Sequence, residues 1–364
     1  MFAPIAFLLA ASIAGFTAFS YAELCSRFPK SAGEALYVQE AFGLPWLSSI
    51  TGWSVVAIGL VSSATIANGF VGYLNIFFQI PDWLTITGLI FVLGFVAAIG
   101  ISESVWMATA ITIIEIGGLL FVMIVASNDL GQLPERLPEL IPSFESSQWN
   151  GIFIGTFLAF YAYIGFEDMV NVAEEVKDAP RLLPKAIILA LVISSLLYLS
   201  ISVVAVLTLP IDALSSSEAP LAAIVEKSGQ GNTIFISAIS LVAVVNGALI
   251  QIVMASRVLY GMGKNGLAPR RLADIHPRTQ TPLFSTVLVT LAILMLALWL
   301  PLVTLAQITS FITLMIFTAV NIALVRLKFR SPRIPGTVHY PILVPIIGAL
   351  LSLFLLIAQS TISL

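Results

Sequence analysis

Residues 149–184 read WNGIFIGTFLAFYAYIGFEDMVNVAEEVKDAPRLLP, an apolar run with a glycine and two carboxylates inside it. A helix in lipid gains nothing from Glu167 or Asp168, and each costs a few kcal/mol there unless it is partnered or hydrated. Gly165 follows Tyr163-Ile164 and precedes Phe166, where the backbone is free to leave helical geometry. Backbone opened at membrane depth is tolerated only where protein or water surrounds it. The stretch is therefore read as a span that lines a path for a polar solute.

The rest of the chain fits that setting. Its 364 residues are 59% hydrophobic and only 10% charged, against about 25% charged in a soluble domain. No soluble core hides that much apolar surface, so the class is an all-α polytopic membrane protein. The formal net charge of −3 says little, because a membrane protein's charges act loop by loop. Nucleic acid is not expected as a partner, since no basic groove or aromatic-basic module is present. One cysteine, Cys25, and two histidines, His276 and His339, supply neither a disulfide framework nor a metal constellation. Cys25 is read as structural. Residues 1–22 lack a basic leading region and carry too long an apolar run for a signal peptide, so they are read as a retained span.

Spans need about 20 apolar residues. Ten candidates follow: 2–23, 46–77, 83–101, 104–127, 149–175, 183–209, 232–260, 283–300, 302–327 and 339–358. The positive charges test this map. With the 24–45 loop placed in the cytoplasm, the cytoplasmic set holds Arg27, Lys30, Lys177, Arg181, Lys185, Arg257, Lys264, Arg270, Arg271, Arg278, Arg326, Lys328, Arg330 and Arg333. The outer set holds Arg136 and Lys227, a strong positive-inside bias. Trp46, Trp83 and Trp149 stand at span ends as interface anchors. Small residues along 46–72 permit close helix packing.

Three patterns, in this order along the chain, carry a family resemblance: SYAELCSRFPKSAGEALYVQEAFG at 20–43, FYAYIGFEDMVNVAEEVKDAPRLLP at 160–184 and ASRVLYGMGKNGLAPRRLADIHPRTQTP at 255–282. Together they resemble the amino acid–polyamine–organocation permeases over essentially the whole chain. The resemblance implies a five-plus-five inverted-repeat transporter fold, in which residues 160–184 are the broken sixth helix and its cytoplasmic loop. Matched onto it, 1–127 is an incomplete first repeat with four spans where five are expected, 149–327 is the second repeat, and 339–358 is an extra helix. The family's first helix carries a Gly/Ser-rich unwound segment that holds the substrate carboxylate. No such segment lies upstream of Phe2, and the family's twelfth helix has no counterpart.

The resemblance places Tyr161 where the family often has an aromatic gate, with Ala162, Tyr163, Ile164 and Gly165 lining the substrate cavity. A break near Ile164-Gly165 frees carbonyls on the outer half-helix, which suit an ammonium group, and amides on the inner half, which suit an anion. Glu167 and Asp168 are read either as hydrated or hydrogen-bonded carboxylates of the cytoplasmic half or as parts of an inner gate or proton path. Glu174, Glu175 and Asp178 are read as a solvated loop with local ion pairs to Lys177, Arg181 and Lys185. Glu115, in TAITIIEIGGLLFVMIVA, has no positive charge within ten residues. Some proton-coupled family members carry a lysine at the matching place, so Glu115 is a candidate for ion coupling, with a structural carboxyl as the alternative. Asn246 is read as interhelical glue, together with Gln251, or as part of the ion or substrate cavity. Asn321 is read the same way, and Thr309, Ser310 and Thr313 form a polar stripe on the 302–327 span.

The leading expectation is a secondary transporter of amino acids in the cytoplasmic membrane, working by symport or exchange through alternating access, with no cofactor. Amino acids, the bilayer and, as a coupling ion, protons are its expected partners. The alternative is a truncated, transport-incompetent remnant or subunit. An enzyme is not expected, because it would need a convergent Ser/His/Asp or metal set inside the spans, whereas His276 is read in a cytoplasmic loop and His339 at the cytoplasmic edge of the last span.

Overall fold

The computed structural model describes residues 1–30, 33–100, 105–331 and 334–362. Arg333 and the side chain of Glu175 lie outside the described residues. Among those described, every regular element is helical. The helices are α1 (Ala3–Arg27), α2 (Gly33–Phe42), α3 (Pro45–Leu74), α4 (Asp82–Ile99), α5 (Val105–Val125), α6 (Leu133–Leu140) and α7 (Ser146–Phe160). After α7 come α8 (Ala179–Thr208), α9 (Ile211–Ser216), α10 (Pro220–Ser228), α11 (Thr233–Lys264), α12 (Leu283–Trp299), α13 (Leu302–Arg330) and α14 (Leu343–Ile362). Proline stands in the first turn of α1, α3, α6, α8 and α10, where its missing N–H has no intrahelical acceptor to lose.

Helix covers most of the described length of the ten expected segments, the 149–175 segment being interrupted, but the count of ten spans is not established. Among the described residues, eight helices are long and apolar enough to cross a membrane, or nine if a pair bent by 56°, Thr109–Val125 and Ser127–Leu140, forms one span. The difference lies partly in α12, which runs between Pro282 and Pro301 with 17 residues, at the short end of the length that crosses a bilayer. Residues 128–148 and 210–231, between these spans, are not plain connectors. They fold into α6, α9 and α10.

Two apolar cores divide the bundle. The first joins α1, α2, α7, α8, α13 and α14, with Ile58 of α3, around Tyr21, Phe160 and Phe317. The second joins α3, α4, α11 and α12, with Leu305 of α13, around Ile90, Ile252 and Ile293. A smaller cluster at one end packs α10 against α5, α8 and α11. The run of small residues on α3 serves this packing: an ideal Cβ added at Gly59 would stand 3.0 Å from the Ala255 methyl of α11.

Two of the residues assigned to the cytoplasm, Arg27 and Lys328, are held in one ion knot. Glu23 of α1 is fully buried. Its carboxylate accepts from Lys328 Nζ of α13 at 2.7 and 2.6 Å, from Arg27 Nη2 at 2.6 Å and from the Tyr340 backbone amide at 3.0 Å. His339 Nδ1 lies 3.2 Å away. Arg27 also donates to the Ser331 carbonyl at 2.9 Å, and Lys328 to the Tyr340 carbonyl at 2.7 Å. Glu23 thus fixes the ends of α1 and α13 and the segment entering α14 to one another. Asn321 is glue between the same two helices, donating to Thr17 Oγ1 at 2.9 Å and accepting from Ser20 Oγ at 2.6 Å.

Candidate functional site

The helix beginning at Ser146 does not continue through the membrane. α7 ends at Phe160, tightens into a 3-10 turn over Tyr161–Tyr163, and stops at Ile164, which is extended with φ −70° and ψ 136°. Gly165 follows with φ +125°, a conformation that side chains disfavour. A second 3-10 segment then runs over Glu167–Glu175. An extended residue followed by a positive φ cannot carry the i to i−4 hydrogen-bond ladder. The carbonyls ending the outer half and the amides opening the inner half are therefore released from it. One of those amides, Gly165 N–H, is taken by Glu167 Oε2 at 2.9 Å.

A cavity of about 210 Å³ opens beside the break, lined by Ala162, Tyr163, Ile164 and Gly165, with Ser194 and Tyr198 from α8. Tyr161 points elsewhere. Its hydroxyl crosses to α3, donating to the Ser62 carbonyl at 3.2 Å, with Ser62 Oγ 3.3 Å away. Tyr163 is buried, and its hydroxyl donates to the Phe7 carbonyl of α1 at 3.2 Å. The five residues expected around the substrate thus divide into four that line this cavity and one that bridges to the second core.

Asp168 makes the other bridge. Gln251 Nε2 of α11 donates to Asp168 Oδ2 at 2.8 Å. Gln251, expected as glue, therefore bonds the broken helix. Glu167 is buried, and its Oε1 has no hydrogen-bond partner. Glu115 and Asn246, 131 residues apart in sequence, come together: Asn246 Nδ2 donates to Glu115 Oε1 at 3.4 Å, while Asn246 Oδ1 is buried without a partner. On α13, Thr309, Ser310 and Thr313 are fully buried, and the hydroxyls of Ser310 and Thr313 have no hydrogen-bond partner. Asp178 and Arg181 form an exposed pair at 3.9 Å, the local loop pairing expected there.

Sequence reasoning missed Glu34, in the first turn of α2. It is only 2% exposed and accepts a hydrogen bond from Tyr21 Oη at 3.0 Å. Burial, reinforced by the Asp168 charge, pushes its carboxyl up to about 7 from an ordinary 4.5. A carboxyl raised on folding contributes its full stability below its unfolded pKa, and that contribution is lost as pH rises through the folded value. Wild-type stability is therefore expected to fall between pH 4.5 and pH 7 relative to Glu34→Gln, by roughly 3 kcal/mol at most. Thermal midpoints of the two proteins in detergent across pH 5–8 check this; parallel curves would contradict it.

A family profile described as amino acid permease matches residues 2–363. A vacuolar cationic amino acid transporter 4 of Arabidopsis thaliana is 30% identical over 353 residues, covering 90% of this chain and 58% of the relative. The branched-chain amino acid permease BcaP of Bacillus subtilis (strain 168) is 26% identical over 380 residues, covering 97% and 79%. A methylthioribose transporter of the same strain is 27% identical over 367 residues, covering 95% and 78%. The chain spans little more than half the length of the plant transporter it matches.

Proposed function

The chain belongs to the amino acid permease family, a family of transporters and not of enzymes, and from that premise we propose that it carries amino acids across a membrane by alternating access at the break in its broken helix. The observation that carries this reading is the interruption at Ile164–Gly165, beside a cavity of about 210 Å³. Such a break presents a carbonyl-rich helix end to an ammonium group and an amide-rich end to a carboxylate, the two charges of a zwitterion.

The division into two cores supports a rocking motion. The broken helix belongs to the first core and touches the second through two polar bridges, Tyr161 to Ser62 and Gln251 to Asp168. Glu167 and Asp168 are then inner-gate groups, and the Glu115–Asn246 pair is the candidate for ion coupling. Helices α7 to α13 form the second of two repeats, and residues 1–127 belong to the first. Symport or exchange supplies the energy, and the positive-inside pattern suits the cytoplasmic membrane.

The test is counterflow in proteoliposomes holding the purified chain, preloaded with unlabelled leucine or arginine, which the names of the branched-chain and cationic relatives suggest. Labelled amino acid is expected to accumulate transiently well above protein-free vesicles. No counterflow with either compound would favour the other reading, a transport-incompetent remnant, for which the matches offer no support.

A further inference from the structure

Behind the two carboxylates at the break stands a third. Tyr21, which bonds Glu34, places its ring edge-on to Phe166 at 5.9 Å between centroids, and Phe166 sits between Gly165 and Glu167. The start of α2 presses directly on the inner half-helix: an ideal Cβ at Gly33, where φ is +42°, would stand 2.5 Å from Asn171 Oδ1. On its other side Glu34 borders a cavity of about 500 Å³ at the cytoplasmic end, shared with Asn171, Glu174, Arg257 and Lys264. Glu34 therefore has the broken helix on one flank and this cavity on the other. A second observation points the same way. Glu167, 4% exposed, keeps one carboxylate oxygen on the Gly165 amide and leaves Oε1 buried without a partner. An orphaned buried carboxylate oxygen is costly unless it carries or receives a proton.

We propose that Glu34 is the relay that passes protons between the Glu167–Asp168 pair at the helix break and the cytoplasmic cavity. The proposal rests on the transport reading and names its coupling ion. The transfer balances. The acid O–H of the pair gives its proton to the Glu34 carboxylate, so the pair regains one negative charge and Glu34 loses one. Glu34 then gives the proton to water in the cavity and is a carboxylate again, with one proton moved and no other group changed.

The surroundings of Glu34 suit this role. Tyr21 bonds it from α1, the charges of Glu167 and Asp168 on the inner half-helix act on it, and Glu174, Arg257 and Lys264 line the same cavity. On α13, Arg326 lies over the Phe42 ring and Arg330 donates to the Ala41 carbonyl, both at the far end of α2. α3 brings no titratable side chain to this end. A carboxyl raised to about 7 takes up and releases protons near neutral pH, as a relay must.

The test has two arms on the full chain. Without any substrate, the infrared carboxyl C=O stretch of wild type is expected to show a band titrating near pH 7 that is missing in Glu34→Gln. In proteoliposomes, accumulation of labelled leucine or arginine driven by a pH gradient is expected to fall at least tenfold in Glu34→Gln, with exchange falling far less. If that variant does not fold, Tyr21→Phe carries the test. Loss of its hydrogen bond is expected to move the band midpoint and the pH dependence of uptake upward. A persistent band in Glu34→Gln, wild-type dependence on the gradient, or an unmoved midpoint in Tyr21→Phe overturns the relay. Failure of wild-type counterflow sinks the transport reading alone, and the infrared band still decides whether Glu34 exchanges a proton.

Discussion

Gly165→Ala is expected to reduce counterflow at least tenfold while the protein still folds. An ideal Cβ at this position meets no atom within 4 Å, so the substitution brings no clash. The penalty lies in the backbone, because φ of +125° is tolerated by glycine and costs other residues about 1–3 kcal/mol. Alanine relieves that strain by turning the local backbone, and the released carbonyls and amides then no longer face one zwitterion. A misplacement worth about 1.4 kcal/mol is already tenfold in a rate or binding constant. Counterflow of labelled leucine or arginine, read beside the thermal midpoint, separates this from unfolding. Wild-type counterflow in Gly165→Ala would contradict the role of the break.

The largest effect on stability is expected at Glu23. Glu23→Gln leaves the Lys328 ammonium, and the Arg27 guanidinium beside it, buried with no carboxylate to balance them. Removing one partner of a buried ion pair costs about 3–5 kcal/mol, because the remaining charge is uncompensated. The added change Lys328→Met removes one of those charges and is expected to recover part of the loss. Thermal unfolding of wild type, the single variant and the double variant measures both steps. A double variant no more stable than Glu23→Gln would show that the knot acts through shape and not through charge.

The break itself is legible in the sequence, because an unbroken helix in lipid has no use for a glycine followed by two carboxylates. Its partners are not. Glu115 and Asn246 each look isolated along the chain, and only the folded bundle brings α5 and α11 close enough for the 3.4 Å bond. Gln251 reads as a generic hydrogen-bonding side chain, yet its partner is Asp168, 83 residues away. Tyr161 is expected with its neighbours around the substrate, but the 3-10 turn rotates it toward Ser62 and away from the cavity they line. Glu34 lies in a connector that resembles any polar loop, and nothing local signals that α2 folds back and buries it. Glu23 poses the same difficulty, since its lysine partner is 305 residues away. Apolar length and charge bias carry span position and orientation, whereas polar pairing depends on helix packing that no local pattern encodes.

Whether the break is reached alternately from the two sides of the membrane is tested most directly by thiol accessibility at Ala162, which lines the cavity beside it. The single native cysteine, Cys25, is buried and is replaced by serine for the purpose. Ala162→Cys in that background is expected to react with a membrane-impermeant thiol reagent in right-side-out and in inside-out vesicles, and saturating leucine or arginine is expected to protect it from both sides. Reaction from one side alone under every condition, or from neither, would contradict alternating access at the broken helix.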